Sequence, residues 1–177
     1  VAKISQVWAR EILDSRGFPT VETAIRLDSG VTSVSSVPTG ASTGKREAKE
    51  LRDGDQKRFA GRGVLKAVSS VNEKLGPAII GLDPTNQFEI DKRLIMLDNT
   101  PNKEVLGANA ILSVSSSVAK AGATSSGVPL FNWINQLAVS ANATVGKSQK
   151  IPTPVFNMIN GGLHGAGNLD FQEFQVI

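Results

Sequence analysis

The feature that most constrains this chain is a change of period partway along it. From Thr20 to Asp28 apolar and polar residues alternate, with Val21, Thr23, Ile25 and Leu27 on one face and Glu22 and Arg26 on the other. That is the pattern of a half-buried strand. Asp28-Ser29-Gly30 supplies a turn, and Val31 to Val37 continues as a β-branched run, which predicts a hairpin. Lys3 to Leu13 predicts a third strand with weaker alternation. From Gly44 onward the period becomes helical. Val64, Ala67, Val68, Val71 and Leu75 fall on one stripe, ended by Gly76-Pro77. Asn86 with Glu89 reads as a capping box ahead of Ile90, Leu94 and Leu97. Ala108, Ile111, Leu112, Val118, Ala119 and Gly122 make a third stripe, with Ser113 and Ser115 to Ser117 filling the rest, and Pro129 opens a helix carrying Leu130, Ile134 and Leu137. Strands first and helices afterwards predict an α+β domain, with helices on one side of an antiparallel sheet.

Val139 to Lys150 is small, polar and unpatterned, and reads as a linker. Ile151 to Ile159 then predicts a strand, Asn160-Gly161-Gly162 a turn, and Phe171 to Ile177 another strand. Two strands do not make a stable domain alone. The expected organisation is a domain over 1–138, a linker over 139–150 and the start of a second domain over 151–177.

Composition narrows the function classes. With no cysteine among 177 residues, disulfides, thiolate metal sites and cysteine nucleophiles are excluded, which suits a reducing cytoplasm. The first residues show no basic-then-apolar run, so no signal peptide is expected, and no stretch reaches the ~20 apolar residues of a membrane span. The net charge is +3, but bases and acids interleave, as in Lys45-Arg46-Glu47-Ala48-Lys49-Glu50, which reads as a solvated helix face rather than a nucleic-acid stripe.

Two glycine-rich segments stand out. Pro38-Thr39-Gly40-Ala41-Ser42-Thr43-Gly44-Lys45 follows a strand and invites a P-loop reading. That motif needs four residues between its glycines and a Ser or Thr after the lysine, whereas here there are three, followed by Arg46. What remains is a loop able to offer hydroxyl ligands, or an ordinary turn capping a helix that begins near Gly44. The second segment, Asn160 to Gly167, holds the single histidine, His164, and precedes Gln172-Glu173-Phe174. Its glycines leave backbone room for a ligand and equally suit a plain turn. Glu173 reads as a catalytic carboxylate or a solvated one.

In register, the segments say more than they do singly. Asp14-Ser15-Arg16-Gly17, Gly40 to Gly44, Leu51-Arg52-Asp53-Gly54-Asp55, Leu106 to Leu112, Asn160-Gly161-Gly162 and Gln172-Glu173-Phe174 together closely resemble the enolase family, from Ser5 to Ile177. The resemblance implies an N-terminal α+β capping domain followed by the first strands of an incomplete (α/β)₈ barrel. It implies reversible, Mg²⁺-dependent dehydration of 2-phosphoglycerate to phosphoenolpyruvate by a cytoplasmic homo-oligomer. By position, Ser42 matches the loop serine that coordinates the second Mg²⁺, and His164 matches a histidine close to substrate. Gln172 matches a substrate-contacting glutamine, and Glu173 one of two glutamates where the hydroxyl leaves. Such chemistry builds an ene-diolate, which needs concentrated positive charge, and expels hydroxide, which needs an acid.

Some positions depart from the family pattern. Phe18 replaces an asparagine, Thr39 a serine and Asn99 a glycine, and Leu163 to Gly167 differs from the usual Ser-His-Ala-Gly-Gly. The resemblance also places the lysine base, the carboxylates of the first metal site, the second glutamate and the phosphate-binding arginine beyond Ile177. A barrel of this type takes about 250 residues, so these 177 residues are expected to be inactive alone. The alternative is an enolase-derived, non-catalytic binding or assembly module.

Overall fold

The computed structural model describes residues 1–40, 44–140, 151–162, 165, 167 and 169–177. Strands β1 (Ile4–Leu13), β2 (Pro19–Leu27) and β3 (Thr32–Val37) form an antiparallel sheet in the order β1-β2-β3. The expected alternation on β2 holds in part: Val21, Thr23, Ile25 and Leu27 are buried on one face, while on the other Arg26 is exposed, Glu22 half-buried and Thr20 and Ala24 buried.

Helix α4 (Ala108–Ser125) lies across β2 and β3, and the helical unit from Leu65 to Ile79 lies across β1. Helices α3 (Gln87–Asp98) and α5 (Leu130–Ser140) pack on α4. The core contains Ile25, Leu27, Leu75, Ile79, Ile90 and Leu94.

Several details differ from the sequence expectation. Gly76-Pro77 does not end the first helix. After α1 (Leu65–Ser70) the chain makes a π-helical turn, Val71–Leu75, and continues as α2 (Gly76–Ile79). The Gly76 N–H reaches back to Val71 O, and the widened turn accommodates a proline that has no N–H to give. A Cβ on Gly76 would sit 3.1 Å from Val7 Cβ, so the glycine lets this helix approach β1. Within the π turn, Asn72 accepts from Ala9 N at 2.7 Å and donates to Ala9 O at 3.2 Å.

On α3 the stripe turns by one residue. Leu97 is 43% exposed, while Asp98 is buried. Its carboxylate accepts from the backbone N–H groups of Thr100, Val105 and Leu106 and from the Thr100 hydroxyl, fixing the loop beyond the helix. Asn99 ends α3 in the left-handed conformation at φ 55°. This explains one departure, because asparagine follows glycine in tolerating that region.

On α4 the buried face is centred on Ala110, Ser113, Val114, Ser117 and Ala121, and Leu112 is 52% exposed. The serines face the sheet. Ser113 Oγ donates to Ala110 O, so its contact with Thr23 Oγ1 at 2.7 Å has the threonine as donor. Ser117 Oγ donates to Thr23 O, and Ser33 Oγ donates to Ser117 O. Small hydroxyl side chains let α4 sit close to the sheet while every buried polar atom in this seam finds a partner.

No helix begins near Gly44. Residues 47–55 are irregular, so Lys45 to Glu50 is not a helix face. Fixed partners elsewhere hold the segment instead. Asn109 Oδ1 accepts from Leu51 N and its Nδ2 donates to Leu51 O, while Lys49 N donates to Asn102 O and accepts at its carbonyl from Ala108 N. The first N–H groups of α1 are satisfied from a distance, Val64 by Glu11 and Leu65 and Lys66 by Asp53.

Strands β4 (Phe156–Asn160) and β5 (Glu173–Val176) form a separate antiparallel pair with a register shift between Asn157 and Ile159. Every residue of both strands is exposed. Val139 and Ser140, expected in the linker, belong to α5.

Candidate active site

Two of the four expected site residues, Ser42 and His164, lie outside the described residues. The other two, Gln172 and Glu173, sit where β5 meets the Asn160-Gly161-Gly162 turn. Glu173 pairs in register with Asn160, and Gly161 N donates to Gln172 O at 2.9 Å. Gly162 N donates to Leu169 O, closing the turn.

The glycine at 161 is obligatory: a Cβ there would come within 2.1 Å of Phe171 O. Gly165 is equally confined, its Cβ falling 2.5 Å from Asn160 O. The Gly161 contacts bring its backbone against Leu169 and Phe171, just before β5, while Gly165 lies against Asn160 and Gly161. Glu173 is exposed and its Oε2 accepts from Gln175 Nε2 at 2.7 Å.

The root of the first glycine segment is held more firmly. Thr39 Oγ1 donates to Glu50 Oε2 at 2.9 Å and accepts from Arg52 Nη2. Arg52 also reaches Glu50 Oε2 at 2.7 Å, Pro19 O at 2.7 Å and Arg62 O at 2.8 Å, and Arg16 donates to Thr39 O. Thr39 is thus gripped at both its hydroxyl and its carbonyl, a clasp the sequence reading missed. The only signal was that Arg52 stood in a motif without an assigned role. A cleft of about 460 Å³ lies beside it, lined by Thr39, Gly40, Gly44, Glu47, Ala48, Lys49 and Glu50.

A second network ties β1 to the start of α1. Arg58 donates to both oxygens of Glu11 and, at 3.3 Å, to Asp53 Oδ2. The Arg58 hydrogen bond, against an opposing push from burial, holds the Glu11 carboxyl below its usual range, and the Val64 N–H adds to it. Burial pushes Asp98 up, but its Thr100 hydroxyl and the three backbone donors outweigh that and leave it lowered.

Among the described residues, no group of three or more His, Cys, Asp or Glu side chains could hold a metal ion. The described residues therefore do not by themselves fit a Mg²⁺ site. Also among them, no helix is long and apolar enough to cross a membrane.

A three-stranded antiparallel sheet covered by helices, followed by the opening strands of a second unit, defines an α+β domain joined to the start of a barrel. Residues 4–134 match the family model described as the enolase N-terminal domain, and residues 148–177 match that of the enolase C-terminal TIM barrel domain. The chain belongs to the enolase family.

Proposed function

We propose that this chain supplies the capping domain and first barrel strands of an enolase that interconverts 2-phosphoglycerate and phosphoenolpyruvate, a carbon–oxygen lyase reaction. The expected capping domain, extended by α5 to Ser140, caps the site, and residues 151–177 open the barrel. The observation that carries the reading is the seating of Gln172 and Glu173 against a turn whose Gly161 admits no side chain. A close-packed backbone of that kind holds two polar side chains at a fixed strand end.

In this reading Glu173 gives a proton to the departing hydroxyl. Gln172 and His164 contact the substrate. Ser42 would offer one oxygen to a Mg²⁺ whose other ligands would come from elsewhere and which would supply positive charge to the reaction. The assembled enzyme is a cytoplasmic homo-oligomer that takes no nucleic-acid partner.

The test joins this chain to a complete family barrel. Glu173→Gln keeps size and polarity but removes the titratable proton, and general acid–base help is worth ~10²–10⁴-fold. The loss should fall on kcat more than KM, and isotope exchange at C2 should suffer less than dehydration. Equal losses in exchange and dehydration would instead make Glu173 an organiser of substrate. The 177 residues alone should show no dehydration, and turnover by them would sink the reading.

A further inference from the structure

A second cleft at the root of the glycine segment takes no part in that reaction. It encloses about 450 Å³, and its walls include Arg16, Arg52, Arg62, Phe18, Thr39 and Glu50. Its walls hold three guanidiniums and one carboxylate, Glu50, which Arg52 engages at 2.7 Å, and a second carboxylate, Asp14, stands 3.8 Å from Arg16. The other two cations gather on one ring: Arg62 Cζ lies 4.4 Å and Arg16 Cζ 5.5 Å from the Phe18 centroid.

Arg16 donates to Thr39 O and stands 3.8 Å from Asp14. The Arg62 guanidinium has the Phe18 ring as its contact and no hydrogen-bond or ion-pair partner among the described residues. Stacking uses the face of a guanidinium and leaves its in-plane N–H groups available. Like charges collected on one ring repel, and an oxyanion between them replaces that repulsion with charge-assisted hydrogen bonds. Glu50 is already engaged by Arg52 and Thr39, so its charge is largely spent.

We propose that this cleft binds a small phosphate-type oxyanion, forked by Arg62 and Arg16, with Phe18 holding both guanidiniums. Phe18 is thus the one ring on which both of these cations gather. Inorganic phosphate and a phosphate monoester present the same three oxygens.

Isothermal titration of the intact 177-residue chain tests the site without reference to catalysis. Inorganic phosphate and glycerol 2-phosphate are the two probes. One-to-one saturable binding is expected, and the tighter probe identifies whether free phosphate or a phosphorylated small molecule is the better fit. Arg62→Gln should weaken it ~10-fold or more, as loss of a charge-assisted fork requires. Arg62→Lys should recover only part, since an ammonium keeps charge without the fork. Phe18→Leu, which keeps an apolar side chain and removes the ring, should weaken binding while the melting transition stays cooperative. Lys92→Gln, exposed on α3, should leave affinity unchanged. Non-saturable binding of both probes, or equal weakening by Lys92→Gln and Arg62→Gln, would overturn the proposal in favour of diffuse charge attraction.

Discussion

On β2, Val21, Ile25 and Leu27 vanish beneath the helices, whereas on the β4–β5 pair Phe156, Met158, Ile159 and Phe174 all remain in solvent. Both regions are antiparallel and both carry apolar residues. The difference is what lies across them. In the first region α4 and the α1–α2 unit close over one sheet face and remove it from water. In the second, among the described residues, each strand's only regular partner is the other strand, and such a pair is marginal in water. Met158 is 66% exposed and Phe171 is 73% exposed, an amount of apolar surface that a barrel interior or its helices would cover. Apolar sequence therefore specifies a strand in both places but specifies a core only where a second layer follows.

The largest test of that contrast is a pair of truncations. Leu94→Ala should destabilise residues 1–140 by about 2–5 kcal/mol, the usual cost of an emptied core site. Ile159→Ala should move the same transition by no more than about 0.5 kcal/mol. Urea unfolding followed by the fluorescence of buried Trp133 measures both. Comparable losses would mean that the hairpin shares the core.

A smaller effect sharpens the comparison through polar groups. Asp98→Ala removes a buried carboxylate with four donors around it and should cost about 1.5–3 kcal/mol, the range for hydrogen bonds to a charged group. Both Asp98 and Glu11 are lowered in the folded state. Their unfolded forms therefore take up protons first as pH falls, so this stabilisation is present at neutral pH. It is lost below the ordinary carboxylate values of 3.8 and 4.5 as the folded values are crossed. Urea midpoints should fall in that window, less steeply in Glu11→Gln, which has already lost its ionisable carboxyl.

A smaller effect still than that of Asp98 is expected at Gly76. A methyl there meets Val71 O at 2.9 Å as well as Val7, while alanine gains helix propensity. The net loss should be about 1 kcal/mol. A gain would mean that the π turn relaxes to admit the methyl.

The sheet, the presence of the helices, the buried stripe from Val64 to Leu75 and the resemblance to the family were legible because period and motif order are local properties of the chain, whereas the buried faces of α3 and α4 were each misplaced. What was not legible depended on contacts made across it. Ser113 and Ser117 looked like filler on α4 until Thr23 and Ser33 supplied their partners. Lys45 to Glu50 had helical composition, but Asn109 and Asn102 draw the neighbouring backbone into an irregular path. The Thr39 clasp joins residues from four places in the sequence and has no local signature. At the candidate site, the turn was readable from its glycines, Gln172 and Glu173 stood out only through the family resemblance, and the confinement of Gly161 needed the fold.

Asn72 has a consequence for how this molecule keeps to itself. β1 is an outer strand of its sheet, with main-chain groups that invite another strand to dock and begin an aggregate. At Ala9 both of those groups are already bonded to one amide side chain. On the far side, the Lys120 ammonium occupies Val34 O at 2.8 Å. The Asn72 carboxamide and the Lys120 ammonium thus each occupy a border of the sheet, and Gly81 and Leu82 bond both main-chain groups of Ile4 further along β1. Asn72→Leu should leave the folded chain recognisable but free Ala9 for a neighbouring molecule, turning a monodisperse solution into one that forms fibrils on standing.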